Sequence, residues 1–201
     1  MRFSKVMGSG ASNWTIPNAL TVARILFTPL FVVFFLDGNH LAALSIFFLA
    51  GITDALDGLL ARVLDQCSPL GAVLDPLADK VLLDASFVCL AQAGWLPTWL
   101  AVAVVSRDML ILGGVALLTF WGQDMRARIS PSRISKLTTA CQMALVLGVF
   151  LSAFWGAMPF FGDKLVILVD GLGWITACLT LVSGGHYVVK GLTMFGKKAE
   201  Q

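Results

Sequence analysis

Residues 41–93 read LAALSIFFLAGITDALDGLLARVLDQCSPLGAVLDPLADKVLLDASFVCLAQA, and this stretch decides the fold. Two apolar runs, near 41–63 and 72–93, are each long enough to cross a bilayer, which takes about 20 helical residues. Ser68-Pro69 marks a turn between them. Inside the runs sit Asp54, Asp57, Arg62, Asp75, Asp79, Lys80 and Asp84. Ionisable groups at membrane depth are expensive, and they are functional by default. Asp54, Asp57, Gly58 and Ala61 fall at i, i+3, i+4 and i+7, one face of a helix. Gly71, Asp75 and Asp79 fall at i, i+4 and i+8, one face of the next. The short connection predicts antiparallel neighbours, so the four aspartates converge near one end of a bundle.

Outward from this pair the same kind of run recurs. Apolar stretches near 17–36, 96–121, 133–155 and 165–190 bring the expected count to about six. The breaks hold Asp37-Gly38-Asn39, Ala93-Gly94, Gly122-Gln123-Asp124 and Gly162-Asp163. Of the 201 residues, 58% are hydrophobic and 13% charged, against roughly 25% charged in a soluble domain. The mean hydropathy is +0.85. So little charge cannot cover a globule of this size, which excludes an ordinary water-soluble domain. The expected fold is therefore all-α: a polytopic membrane bundle of about six transmembrane helices, a single domain over residues 1–201.

Lys and Arg alternate across the connections. The N-terminus carries Arg2 and Lys5, the second loop Arg62, and the fourth Arg126, Arg128, Arg133 and Lys136; the C-terminus carries Lys190, Lys197 and Lys198. The first and third loops carry none and the fifth has Lys164. Positive residues stay on the cytoplasmic side. Both termini and the aspartate end thus face the cytoplasm, as in a bacterial inner membrane or its equivalent. Residues 1–16 have no apolar core of a cleavable signal; Phe3, Val6, Met7 and Trp14 among basic residues suit a segment lying on the membrane surface. A net charge of +2 with no long basic run argues against nucleic acid. Cys67, Cys89, Cys141 and Cys178 are scattered through apolar sequence and read as small buried residues.

Four carboxylates cannot share a small dry volume uncompensated; they take up protons or bind cations. Oxygen-only ligands select hard cations, Mg²⁺ or Mn²⁺ rather than zinc. Gly58, Ala61 and Gly71 leave room for something bulky to approach the backbone, and Arg62 can add a charge-assisted contact to an anion. Spacing alone leaves three readings open: a metal site, an ion-conducting path of a transporter, or a polar network that orders helix packing.

Asp54-x-x-Asp57-Gly58-x-x-Ala61-Arg62, eight residues, then Gly71-x-x-x-Asp75-x-x-x-Asp79 resembles the signature of the CDP-alcohol phosphotransferases at every fixed position. The resemblance implies an enzyme of about six transmembrane helices that commonly forms homodimers. It implies that Asp54, Asp57, Asp75 and Asp79 hold two divalent metal ions, and that Asp79 is the general base that takes the acceptor's proton. Asp54, Gly58, Ala61, Arg62 and Asp75 would surround the CDP moiety. The implied donor is CDP-diacylglycerol, its tails among membrane lipids.

Ile16-Pro17-Asn18-Ala19-Leu20-Thr21-Val22-Ala23-Arg24 is similar to the start of the phosphatidylglycerophosphate synthases and the eukaryote-type cardiolipin synthases. Ser106-Arg107-Asp108 and Pro131-Ser132-Arg133-Ile134-Ser135-Lys136 look closer to the latter. The resemblance thus favours phosphatidylglycerol over glycerol 3-phosphate as acceptor. Arg107, Arg133 and Lys136 are its expected phosphate contacts. Arg107 is expected to face the cavity without an anionic partner, because Asp108 points some 100° away around a helix. Asp84, four residues after Lys80, is expected to pair with it. His40 is placed in an outer loop.

Overall fold

The computed structural model describes residues 16–64, 71–120, 133–155 and 162–196, with side chains described over 21–54, 78, 80–114, 134–154 and 164–189. The surface segment expected at 1–16 lies almost wholly outside the described residues. Six helices follow in order: α1 Ile16–Leu36, α2 His40–Leu64, α3 Gly71–Gln92, α4 Thr98–Phe120, α5 Arg133–Trp155 and α6 Gly162–Gly196. Among the described residues there is no strand. The bounds follow the apolar runs closely, except that α6 is longer than its run. Its 35 residues span about 50 Å, well beyond the roughly 30 Å of a bilayer's apolar core.

Glycine sets two of the turns. Gly38 and Gly94 have φ of 76° and 74°, the left-handed region that a Cβ disfavours. After α1, Asn39 N–H donates to Phe34 O at 2.9 Å and Gly38 N–H to Phe35 O at 3.1 Å; after α3, Trp95 and Gly94 do the same to Leu90 and Ala91. Both ends are Schellman caps. Asn39 then caps the next helix, its Oδ1 accepting from Ala42 N–H at 3.2 Å.

The exterior is far more apolar than that of a soluble protein, and polar side chains share the interior with the apolar core. Ile167, Leu168, Trp174 and Leu181 are 65–71% exposed, whereas Thr21, Thr138, Gln142, Thr180 and Ser183 are 1% or less. Apolar side chains outside and hydroxyls inside suit a lipid solvent, which satisfies no polar group. Residues 134–154 and 164–189 form helices long and apolar enough to cross a membrane; α1 and α2 contribute shorter apolar stretches at 21–36 and 40–54.

α1 is the wedge of the bundle. Among the described residues, α2 and α3 pack extensively on α1 rather than on each other, while α6 packs on α4 and α5. The expectation that α2 and α3 are direct neighbours is corrected to that extent. At the far end Phe31, Phe35, Phe47 and Phe150 form a core. His40 is not in a loop but opens α2, its ring 5.0 Å from Phe35 and 4.7 Å from Trp95. The cap at Asn39 starts the helix one residue earlier than its polarity suggests.

Candidate active site

The signature is divided between α2, which carries Asp54, Asp57, Gly58, Ala61 and Arg62, and α3, which carries Gly71, Asp75 and Asp79. The side chains of Asp57, Gly58, Ala61, Arg62, Asp75, Asp79 and Arg133 lie outside the described residues. Asp54 represents the site directly. Its carboxylate is 41% exposed and its Oδ1 lies 3.2 Å from Nη1 of Arg24, a guanidinium that is 1% exposed. Arg24 reaches it because α1 lies against α2. No spacing rule could announce this contact between positions thirty apart. The available signal was a lone arginine inside the apolar run 17–36.

Arg24 and Asp54 form one end of a cleft of about 300 Å³. Its remaining walls are apolar: Phe47, Phe48, Ala50 and Ile52 from α2, Leu82 and Leu83 from α3, Met143 and Leu147 from α5. Gly51 also lines it, and a Cβ there would meet nothing within 4 Å. A charged end joined to an apolar hollow can take a molecule with an anionic head and a hydrocarbon body.

A second polar centre lies behind α3. Lys80 Nζ and Arg107 Nη1 both donate to Asp108 Oδ1. Arg107 also donates from Nη2 to Ser135 Oγ and Ser183 Oγ, each at 2.7 Å, and from Nε to Ser183 Oγ at 3.3 Å. Four helices are thereby tied together. Two expectations are corrected here. Lys80 pairs with Asp108 of α4, not with Asp84, whose buried Oδ1 finds no hydrogen-bond partner among the described residues. Arg107 does have an anionic partner, since its long side chain bends back to the adjacent Asp108. Both residues are buried, at 3% and 1% exposure, and in a low dielectric opposite charges meet rather than stand apart. Lys136 is exposed on α5, beside Ser135.

Among the described residues no three His, Cys, Asp or Glu side chains gather at one point; that set contains one signature carboxylate, Asp54. The donor chemistry of the signature nonetheless fits a hard divalent cation. All four candidate ligands are carboxylates, and the one described presents a half-exposed oxygen at the cleft.

The chain is 35% identical over 188 residues to the cardiolipin synthase (CMP-forming) of Rattus norvegicus and 34% to that of Homo sapiens, alignments covering 87% of this chain and 60% of each relative. It thus spans about 60% of the length of those relatives. It is 30% identical over 194 residues to the CDP-diacylglycerol–glycerol-3-phosphate 3-phosphatidyltransferase of Bacillus subtilis, covering 88% of this chain and 95% of that protein. With aspartates at the signature spacing on two helices, and a family model of CDP-alcohol phosphatidyltransferase matching residues 14–183, the chain belongs to the CDP-alcohol phosphatidyltransferase family.

Proposed function

We propose that this protein acts in phospholipid biosynthesis, transferring the phosphatidyl group of CDP-diacylglycerol to a glycerol-type acceptor with release of CMP. The observation that carries the reading is the signature itself, set on α2 and α3 with Asp54 at the charged end of an apolar cleft. The acceptor is phosphatidylglycerol, making cardiolipin. A second acceptor, glycerol 3-phosphate, is favoured by the near-complete coverage of the Bacillus relative. The protein spans the membrane with all six helices as one domain over 1–201, both termini and the active site facing the cytoplasm, and works as a homodimer among membrane lipids.

Asp54, Asp57, Asp75 and Asp79 would hold two Mg²⁺ or Mn²⁺ ions, which when bound neutralise the diphosphate and ease the departure of CMP. The chain's own residues do the rest. Arg62, with Gly58 and Ala61 clearing space beside it, holds the CDP moiety together with Asp54 and Asp75. Asp79 accepts the proton of the acceptor hydroxyl as its oxygen attacks the phosphatidyl phosphorus and the bond to CMP breaks. The acceptor's phosphate meets Lys136 and Arg133. Arg107 supports them from behind through Ser135, since four of its donor contacts are already taken within the bundle.

Radiolabelled CDP-diacylglycerol offered with phosphatidylglycerol or glycerol 3-phosphate, followed by chromatography of the lipids, tests the reading. Cardiolipin is the expected product. Product from glycerol 3-phosphate alone selects the second acceptor, and no transfer to either overturns the proposal. Turnover should vanish in EDTA and return with Mg²⁺ or Mn²⁺ but not with Ca²⁺, whose longer bonds spread the ligands. Full activity in excess chelator would remove the metal ions, and a liposome flux assay would then test a transporter.

A further inference from the structure

Arg24 occupies no position of the signature, yet its guanidinium contacts the signature's first aspartate. An arginine cannot shed its proton in a protein, so the positive charge at this place is permanent. The side chain is 1% exposed, and a charge so buried persists only where it is compensated. Its helix packs along both α2 and α3. The guanidinium lines the same cleft as Asp54 of α2 and Leu82 and Leu83 of α3. It therefore stands between the two helices that divide the four aspartates.

We propose that Arg24 is the fixed counter-charge and positioning residue of this site, an inference that rests on the reading of the four aspartates as a divalent-cation site. Without a cation bound, Arg24 holds the Asp54 carboxylate by Nη1, 3.2 Å from Oδ1, and keeps it from repelling its three neighbours. A divalent cation must then compete with Arg24 for that oxygen. With the site loaded the role reverses. Two divalent ions match the four carboxylates, and the doubly esterified diphosphate of bound CDP-diacylglycerol brings two further negative charges. Arg62 offsets one and Arg24 the other, so the complex closes near neutrality, as a site of low dielectric requires.

The two roles predict effects of opposite sign. Loss of the cation should tighten binding of the metal alone, because a competitor and a positive charge are gone together. The same loss should weaken binding of nucleotide in the presence of metal. A side chain that merely packed α1 against its neighbours would weaken both. Full-length protein in detergent micelles allows the two to be measured separately: free Mn²⁺ by electron paramagnetic resonance, then CDP by calorimetric titration at saturating Mn²⁺. Arg24→Gln should lower the Mn²⁺ dissociation constant severalfold and raise that of CDP about tenfold or more, the weight of one charge-assisted contact. Arg24→Lys keeps the charge on a shorter stem, and should hold CDP within a few-fold of the wild type.

Weaker or unchanged Mn²⁺ binding in Arg24→Gln overturns the inference and leaves the metal site standing. A wild-type protein that takes up no Mn²⁺ overturns the metal site and this inference with it. Should Arg24→Gln fail to fold, Arg24→Lys decides: CDP binding kept supports the counter-charge, and CDP binding lost despite a folded chain sinks it.

Discussion

At the scale of single residues the bundle's polar interior is a set of shared oxygens. Asp108 Oδ1 takes donors from Lys80 and Arg107 at once, and Asp108 Oδ2 and Asp84 Oδ1 are buried without hydrogen-bond partners among the described residues. Lys80 is 19% exposed, so its charge is partly hydrated while that of Asp108 is not. Lys80→Met should therefore remove one of the two cations that Asp108 holds and leave the carboxylate to Arg107. The expected loss lies toward the lower end of the about 3–5 kcal/mol seen when one partner of a buried pair is removed. Denaturant unfolding in micelles would measure it, and Asp108→Asn, which strands the buried Arg107 guanidinium as well, should cost more than Lys80→Met. An unchanged midpoint in Lys80→Met would mean that Arg107 alone carries Asp108. Contacts of this kind were not legible in the sequence. Helical period puts Asp84 beside Lys80 and turns Asp108 away from Arg107, but it ignores both the reach of long side chains and the carboxylates other helices offer. The aspartates were legible for the opposite reason, since each repeats at helical spacing inside apolar sequence, where a charge cannot be incidental.

At the scale of elements the helices are short-range facts, and the sequence announced them well. Six apolar runs became six helices because each run is bounded by residues that stop a helix, and Gly38 and Gly94 do so in the left-handed conformation expected of glycine. Helix partners are long-range facts and were less visible: two helices joined by a short turn both prefer α1. The cleft that results belongs to four helices, and none of its walls could be read from one of them. It also makes a prediction. Gly51 faces open space on the wall of the cleft, so Gly51→Phe should fill the hollow without a backbone clash. If the cleft receives an acyl chain of the donor, kcat/KM for long-chain CDP-diacylglycerol should fall at least tenfold while a short-chain donor is little affected. Equal losses for both donors would place the chains elsewhere.

The whole molecule wears an apolar exterior, with Ile167, Leu168, Trp174 and Leu181 exposed, around an interior where hydroxyls and ion pairs share space with an apolar core. Composition foretold that much, because 13% charged residues cannot clothe a soluble surface. Orientation is the open expectation at this scale. Single cysteines placed at position 39 and position 198 of a cysteine-free variant should label from opposite sides of sealed vesicles with an impermeant maleimide, position 198 from the cytoplasmic side. Labelling of both from one side would break the six-span arrangement.

The packing of α1 on α2 and α3 has a bearing on how the molecule is made. Those three helices end at Gln92, so Arg24 and the four aspartates are synthesised before α4, α5 and α6, and synthesis proceeds from the N-terminus at about 5–20 residues per second. For several seconds the acidic helices have neither the Asp108–Arg107 pair nor α5 to pack on. In that interval Arg24, unable to lose its proton, is expected to be a counter-charge already available to Asp54. The first helix would thus act as an escort for the second, and the finished site would inherit the escort as a fixture.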